Sequence, residues 1–411
     1  MKEVRFVHTA DLHLDTPFIG LSALPEHLYH LVEKSTFQAF QNVVQIAIEK
    51  RADFIIIAGD LYDGAHRSLR AQSFLKKACE QLKAYGIALF IVHGNHDHLS
   101  GSWRNFVWPN NVHFFKGEVE CKPFCTKSGA SVHLYGFSYE KREVYENMAQ
   151  FYVKESGASF HIGILHGQAE GMKEHEPYAP FKVSELLEKD FDYWALGHVH
   201  SYAKLAENIY YSGNIQGRHI KETGKKGCLF VTLNEGNKAP RVEFLETAAV
   251  LWEKATVSIT DVTTIDELQQ KIESALTKRH FNGRPVLYAV HFTGHGELHS
   301  FLLEKEEVRE FIAIINEELY AEHRVWIVHY TNDTVAYIDR KEYLQKEDFL
   351  SDILHASDRY SSEDQYEIFQ ELFTHRKGKK YVFPFTKEEF RQIKREAEAL
   401  ILGYLSKKLE D

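Results

Sequence analysis

Five short segments in the first half of the chain place ligand-type side chains directly after strand-like runs. Asp11-Leu12-His13 follows Val4–Thr9, and Gly59-Asp60-Leu61-Tyr62-Asp63 follows Phe54–Ala58. Gly94-Asn95-His96-Asp97 follows Ala88–Val92, His166-Gly167 ends Phe160–Leu165, and Gly197-His198-Val199-His200 follows Tyr193–Leu196. In extended backbone a two-residue step carries Asp11 and His13, and likewise His198 and His200, to one side of the chain. Gly59 allows the tight turn that delivers Asp60. Each segment alone is an ordinary coincidence, since a lone histidine on an apolar strand is normally a satisfied core residue. All five in this order, each beside a glycine or a strand end, describe one site at the strand-end edge of an α/β sheet.

The residue types define the chemistry. Carboxylate, imidazole and amide oxygen suit Mn²⁺, Fe²⁺ or Zn²⁺, and no thiolate is present to select a softer ion. Two such ions roughly 3.5–4 Å apart need a shared carboxylate, for which Asp60 is the natural candidate. Phosphodiester hydrolysis asks little covalent chemistry of a protein, only positioning and charge stabilisation. The expectation is a two-metal phosphoesterase site built from Asp11, His13, Asp60, Asn95, His166, His198 and His200.

The elements that must hold these residues follow from pattern. The other strand candidates are Val132–Phe137, Ile209–Ser212 and Leu229–Leu233, and helices are expected over Leu31–Lys50 and Leu69–Tyr85. This alternation describes an α/β layered domain over residues 1–245. Texture changes after Leu251. Strand-like Lys254–Ile259, Val286–Phe292 and Val325–Tyr330 alternate with a helix opened by a Thr264/Glu267 capping box and another near Val308–Leu319. Residues 250–345 thus read as a small α+β domain. Residues 346–411 read as mostly helical, ending in a helix with Thr386 as N-cap and Glu389 closing the box, and with Phe385 and Phe390 as a hydrophobic staple. Its apolar positions Phe390, Ile393, Ala397, Leu400, Tyr404 and Leu405 form a face that packs onto its own domain or docks a partner's helix.

Bulk composition excludes several classes. The 411 residues suit two or three domains, and 44% hydrophobic content with 26% charged is globular. The net charge of −10, from 49 basic and 59 acidic residues, is wrong for a surface that grips nucleic acid all round. Contact with a polyanion must be local, metal-assisted or shared with a partner. Arg67, Arg70, Arg104, Arg218, Lys221, Lys225 and Lys226 lie near the ligands in sequence, and His375-Arg376-Lys377-Gly378-Lys379-Lys380 forms a second basic cluster. These read as scattered surface charges or, from Arg218 to Lys226 just after a strand near the metal edge, as a contact for a nucleic-acid backbone; the second cluster reads as a phosphate contact or a solvated turn. No apolar run approaches the roughly 18 residues of a membrane span, and the first residues enter a strand rather than a signal peptide. The four cysteines read as free thiols of a reducing cytoplasm, and the Cys121/Cys125 spacing does not match a zinc knuckle.

Asp11-x-His13, Gly59-Asp60, Gly94-Asn95-His96-Asp97, His166-Gly167 and Gly197-His198-x-His200 resemble the calcineurin-like metallophosphoesterase signature. His8-Thr9-Ala10-Asp11-Leu12-His13-Leu14 and Gly59-Asp60-Leu61-Tyr62-Asp63 are similar to its DNA-repair nuclease branch, which holds the SbcD exonuclease subunit and its meiotic-recombination counterparts. Ser212-Gly213-Asn214-Ile215-Gln216-Gly217-Arg218-His219-Ile220, with Glu222, Gly224, Lys226 and Gly227, resembles the bacterial YhaO-type family. The motifs cover about residues 4–233. The resemblance implies a four-layer sandwich, two sheets flanked by helices, with a small α+β cap domain and a helical C-terminus. It implies one metal on Asp11, His13, Asp60 and His200, and a second on Asp60, Asn95, His166 and His198, with manganese the expected ion and iron or zinc the alternatives. His96 would donate to the scissile phosphate or protonate the leaving oxygen, and Asp97 would orient an imidazole. Some family nucleases carry histidine three residues after the bridging aspartate; this chain departs from them with Asp63, as bacterial members do, and Asp63 is expected to act with His96 and Asp97 as a catalytic residue.

The expected function is a manganese-dependent DNA exo- or endonuclease of DNA repair. The resemblance implies an SMC-like coiled-coil ATPase and DNA as partners, a homodimer formed through the phosphoesterase domain, no membrane and a cytoplasmic location. A phosphodiesterase or phosphatase acting on small nucleotides or phosphoproteins would use the same site, since fold and metals do not choose the substrate. A low-activity structural adaptor is the third reading.

Overall fold

The computed structural model describes residues 2–359, apart from 19–20, 22–23, 65–67, 102–105, 173–175, 280, 282, 338–339 and 346–347, together with scattered positions between 373 and 405. The chain divides into two compact units, Met1–Glu253 with Arg284–Leu287, and Lys254–Gly283 with Tyr288–Asp411.

The first unit begins β1 (Glu3–Thr9), α1 (Glu26–Glu33), α2 (Ser35–Glu49), β2 (Phe54–Ala58), α3 (Leu69–Ala84), β3 (Ala88–Val92) and β4 (Val112–Phe114). It continues with β5 (Glu120–Cys125), β6 (Ser131–Gly136), β7 (Phe160–His166), α4 (Val183–Glu188), β8 (Tyr193–Gly197), β9 (Ala203–Ala206) and β10 (Ile209–Tyr211). It closes with β11 (Gly227–Asn234) and β12 (Asn237–Glu246). Two six-stranded mixed sheets result, ordered β12-β11-β1-β2-β3-β4 and β5-β6-β7-β8-β10-β9. β1 through β4 are parallel, as are β6, β7, β8 and β10, while β11, β12, β5 and β9 pair antiparallel.

The central strands are buried on both faces, so Phe54–Ala58 and Ala88–Val92 read as unbroken apolar runs. Phe6, Phe54, Ile56 and Phe90 face Val132, Ile162, Ile164 and Tyr193 in the core between the sheets. On the outer face of the first sheet, Val7, Ile55, Ile57 and Ile91 pack with Phe40, Val43 and Val44 of α2 and Leu75 and Leu82 of α3. The outer face of the second sheet is covered more thinly. There Leu165, Trp194 and Leu196 meet Leu186 of α4, Tyr152 and Phe181. The α/β fold of sheets flanked by helices is the one the sequence predicts.

One expectation needs correction, and four strands were not foreseen. The single helix over Leu31–Lys50 is two helices that begin just after Pro25 and break at Lys34, where the Ser35 hydroxyl donates to the Val32 carbonyl at 2.6 Å. Strands β5 and β12 escape the apolar pattern because each contains a proline, Pro123 and Pro240. Both are edge strands, where proline's missing N–H leaves no ladder bond unmade. Short β4 and β9 lack enough residues to show a period.

The second unit is α+β. Strands Leu251–Ser258, Val286–Thr293 and Val325–Asn332 form its sheet, with helices Ile265–Leu276 and Lys305–His323. The Thr264/Glu267 box is present, each residue's backbone N–H donating to the other's side chain at 3.2 Å. Buried Asn316 joins the longer helix to the sheet, donating to the Ile327 carbonyl and accepting from its N–H. Thr386 and Glu389 likewise form the expected capping box. Leu402 is buried against Leu350 and Leu354, with Leu405 beside it, so part of the last helix's apolar face packs within its own unit. Phe385, Phe390, Leu400 and Tyr404 of that helix lie outside the described residues, as do Arg67, Arg104 and residues 376–380 of the basic cluster.

Candidate metal centre

Every ligand-type residue lies at or just beyond the C-terminal end of a parallel strand. β1, β2 and β3 bring Asp11, His13, Asp60, Asn95 and His96 from one sheet, and β7 and β8 bring His166, His198 and His200 from the other. The two sheets meet there because glycines allow it. A Cβ on Gly197 would stand 1.9 Å from the Ala58 carbonyl oxygen, and one on Gly59 would stand 2.1 Å from Nδ1 of His166.

The backbone differs from the extended chain expected at Asp11 and His13. Their φ values are 51° and 42°, and Asp60 and His198 also have positive φ, at 51° and 98°. Non-glycine residues rarely adopt this left-handed region, and such strain persists where the surroundings over-determine it. Here backbone hydrogen bonds enforce it: Asp11 N–H donates to Gly59, His13 to Asp60 and Leu14 to Leu61. The two carboxylate loops are zipped together, so Asp11 and His13 converge through turns rather than through strand alternation.

Asp60 lies at the centre and is buried. Its Oδ2 is 3.8 Å from His13 Nε2 and 3.6 Å from His166 Nε2, while its Oδ1 accepts the His96 backbone N–H at 2.9 Å. On one side His13 Nε2 faces His200 Nε2 at 3.3 Å, and Asp11, His13 and His200 converge. On the other, the Asn95 amide oxygen lies 3.0 Å from His166 Nε2 and 3.3 Å from His198 Nδ1. Asp11 accepts the His198 backbone N–H through both oxygens, and Asp11, Asp60 and His166 form a second convergent group.

Around this centre other groups fix the rings. His166 Nδ1 meets the Ala58 carbonyl at 2.8 Å, which turns Nε2 inward, and His198 Nε2 meets the Glu176 carbonyl at 2.9 Å. Asp97 accepts from the backbone N–H groups of Leu61 and Gly94 and pairs with His93 Nδ1 at 2.9 Å. Its imidazole partner is thus His93, and it ties the Asp60 loop to the Asn95 loop. Asp63 lies 3.3 Å from His96 Nδ1, 3.6 Å from His13 Nδ1 and 3.6 Å from Arg218.

Burial raises the carboxyls of Asp11 and Asp60 above the usual carboxylate range, with the two charges reinforcing each other at Asp11. Burial, aided by the Arg218 charge, pushes His13 down towards the neutral imidazole. The centre thus gathers buried carboxyl and amide oxygens and ring nitrogens, and a divalent cation would offset the burial of the carboxylates. That donor set fits divalent cations; Asp11 belongs to both convergent groups, and Asp60 Oδ2 lies between His13 of one and His166 of the other.

Two residues outside the sequence-derived ligand set prove central. Glu222 lies 2.8 Å from His200 Nδ1 and accepts from Arg218 and from the Asn214 amide. Burial alone would raise Glu222, but the bond to His200 and the Arg218 charge outweigh it and hold the carboxyl far below its ordinary range. Burial likewise opposes ionisation of Asp63, and its contacts with His13, His96 and Arg218 overcome that. Only the Ser212–Gly227 motif hinted at Glu222, because its contact with His200 spans 22 residues. Arg218 and Lys226, expected to face a nucleic-acid backbone, are instead largely buried, with Lys226 donating to the His200 carbonyl. Arg70 pairs with Asp15 and Glu33, and Lys225 with Glu246. Glu222→Gln is expected to weaken metal binding about 10–100-fold, the usual cost of losing a residue that orients a ligating imidazole. Titrating Mn²⁺ into both proteins by calorimetry checks this, and unchanged affinity would remove Glu222 from that role.

Residues 4–202 match the calcineurin-like phosphoesterase family model, and residues 252–335 match the middle domain of metallophosphoesterase YhaO. Over 408 residues the chain is 37% identical to the uncharacterized metallophosphoesterase YhaO of Bacillus subtilis, covering 98% of each. It is 27% identical over 217 residues to the DNA double-strand break repair protein Mre11 of Saccharolobus solfataricus, covering 50% of this chain and 51% of that one. It is also 27% identical over 240 residues to a subunit of the SbcCD nuclease of Staphylococcus epidermidis, covering 52% of this chain and 61% of that one. Among the described residues no helix is long and apolar enough to cross a membrane.

Proposed function

The chain belongs to the calcineurin-like metallophosphoesterase family, whose members use divalent metals, and from that premise we propose that it is a manganese-dependent DNA nuclease of DNA repair. It acts in the cytoplasm with an SMC-like coiled-coil ATPase. The observation that supports phosphodiester chemistry is two adjoining ligand groups that share Asp11, with Asp60 Oδ2 between His13 of one and His166 of the other. What directs the reading to DNA is the likeness of the first half of the chain to a double-strand break repair protein and to a component of a nuclease.

Asp11, His13, Asp60 and His200 would hold one ion, and Asp60, Asn95, His166 and His198 the other. When bound, the ions supply charge neutralisation at the phosphate and a nucleophile at neutral pH. The remaining work falls to the chain. His96 is partly exposed beside the centre with Asp63 at its Nδ1, so its other ring nitrogen would donate a proton to the leaving oxygen. Asp63 and Asp60 both favour its protonated form against the opposing effect of burial. Arg218 steadies Asp63, and so the ring, from the other side. Asp97 holds the Asp60 and Asn95 loops at fixed separation.

End-labelled linear duplex DNA, cyclic nucleotides and p-nitrophenyl phosphoesters are to be compared in Mn²⁺, with and without an SMC-like ATPase. The expected result is DNA cleavage that duplex competitor suppresses and that the ATPase accelerates. Turnover of the small esters with intact DNA under every condition would replace this reading by a small-nucleotide phosphodiesterase or a phosphatase. No turnover on any ester despite tight metal binding would favour an adaptor.

A further inference from the structure

The four cysteines look unremarkable in sequence, but the topology gives Cys121 neighbours that no spacing rule could find. In the β5–β6 pair Cys121 is opposite Tyr135 and Pro123 is opposite His133, so Cys121 and His133 are diagonal neighbours on one face. In the parallel β6–β7 pair His133 is in register with His161, which adds a second imidazole to that face. The chain after the 3-10 turn Met148–Phe151 returns over this face, and the Glu155 N–H donates to the Tyr135 hydroxyl at 2.9 Å. That hydroxyl also lies 3.0 Å from His161 Nδ1 and 3.4 Å from His133 Nδ1. One thiol, one imidazole and one carboxylate thereby bring their ligand atoms within 4.8 Å of one another.

We propose that Cys121, His133 and Glu155 form a second metal site, specific for Zn²⁺ or a similar borderline-soft divalent cation and separate from the phosphoesterase centre. Sulfur, nitrogen and oxygen donors at bond lengths of about 2.0–2.3 Å stand about 3.3–3.8 Å apart around tetrahedral zinc, so side-chain adjustments alone close the cluster. The thiolate sets this site apart from the phosphoesterase centre, whose ligands include no sulfur. Burial and the neighbouring Glu155 charge push the Cys121 thiol up to about 11, so it stays protonated without a cation. On binding, the S–H proton leaves to solvent as the sulfur–metal bond forms, and the cation offsets the carboxylate. The site lies at the N-terminal end of β7, five residues and so about 17 Å along the strand from His166. Its effect would be structural, clamping the proline-containing edge strand β5 to the segment that carries Glu155.

The test uses the full chain, stripped of metal and titrated with Co²⁺. A thiolate-to-cobalt charge-transfer band in the near ultraviolet reports cysteine-bound cobalt and not the phosphoesterase centre, none of whose ligands carries sulfur. The expected result is a saturable band whose amplitude corresponds to one thiolate–cobalt bond per chain and which disappears when excess Zn²⁺ is added. It should be absent from Cys121→Ser, at least tenfold weaker at equal Co²⁺ in His133→Gln, and unchanged in Cys125→Ser. Asp60→Asn should keep the band, so the result stands whether or not the phosphoesterase reading does. No band in the unaltered protein, or a band that survives Cys121→Ser, would overturn the proposal.

Discussion

Asp60→Asn is expected to lower Mn²⁺-dependent phosphodiester turnover by about 10³-fold or more. The carboxylate lies between both ligand groups, with Oδ2 within 3.8 Å of inward-facing nitrogens of His13 and His166. An asparagine keeps the shape and can still accept the His96 N–H through its oxygen. It replaces the second oxygen by an NH₂, which donates and cannot bind a cation, and it removes the charge that two ions would share. A control separates this from unfolding. Burial holds Asp60 above the ordinary carboxylate range, so the folded state favours its neutral form and this group's contribution to stability falls as pH rises through the unfolded value. The metal-free variant should therefore melt at or above the unaltered protein at neutral pH. Turnover of a p-nitrophenyl diester, metal content and thermal midpoint are the three measurements. Retained turnover with normal metal content would remove Asp60 from the shared position.

Gly94→Ala should be nearly as damaging to activity, and unlike Asp60→Asn it should also cost stability. A Cβ there would stand 2.3 Å from Asp60 Oδ1 and 2.7 Å from His166 Nε2, both far inside contact distance. These two groups cannot retreat cheaply. Asp60 is held by the His96 N–H, and His166 by the Ala58 carbonyl through its other nitrogen. Overpacking of this kind typically costs about 1–3 kcal/mol. The same displacement separates Asp60 from His166, so metal affinity and turnover should fall together, by about 10²-fold or more on the scale of positioning effects. Denaturant midpoints and Mn²⁺ titration check both halves. An alanine variant with normal stability and affinity would mean that the loop after β3 is looser than its packing implies.

How much of this was legible in the sequence depends on the range of the interaction. Strands Phe54–Ala58 and Ala88–Val92 lie where their apolar runs lie, because doubly buried strands need no alternation to be seen. Helix α3 starts where Ser68 caps it, its side chain accepting from Ala71, another signal written within a few residues. The break at Lys34 was not legible, since apolar residues continue through it and a hydroxyl-to-carbonyl bond makes the difference. Nor were β5 and β12, whose prolines are tolerated because, among the described residues, each is the last strand of its sheet.

The site divides in the same way. That Asp11, His13, Asp60, Asn95, His96, His166, His198 and His200 are metal-type side chains beside strand ends and glycines is a local property, fully present in the sequence. So are the α/β class and the absence of sulfur among those residues. Where each ring points is not local. The left-handed backbone at Asp11, His13, Asp60 and His198 is enforced by bonds between loops some fifty residues apart or more. The attachment of Glu222 to His200, the Asp63–Arg218 brace and the meeting of Cys121 with His133 and Glu155 depend on sheet register and loop return. Propensity and periodicity encode what a residue and its near neighbours can be. Hydrogen bonds and charges between distant segments decide what they do together, and those exist only once the chain has folded.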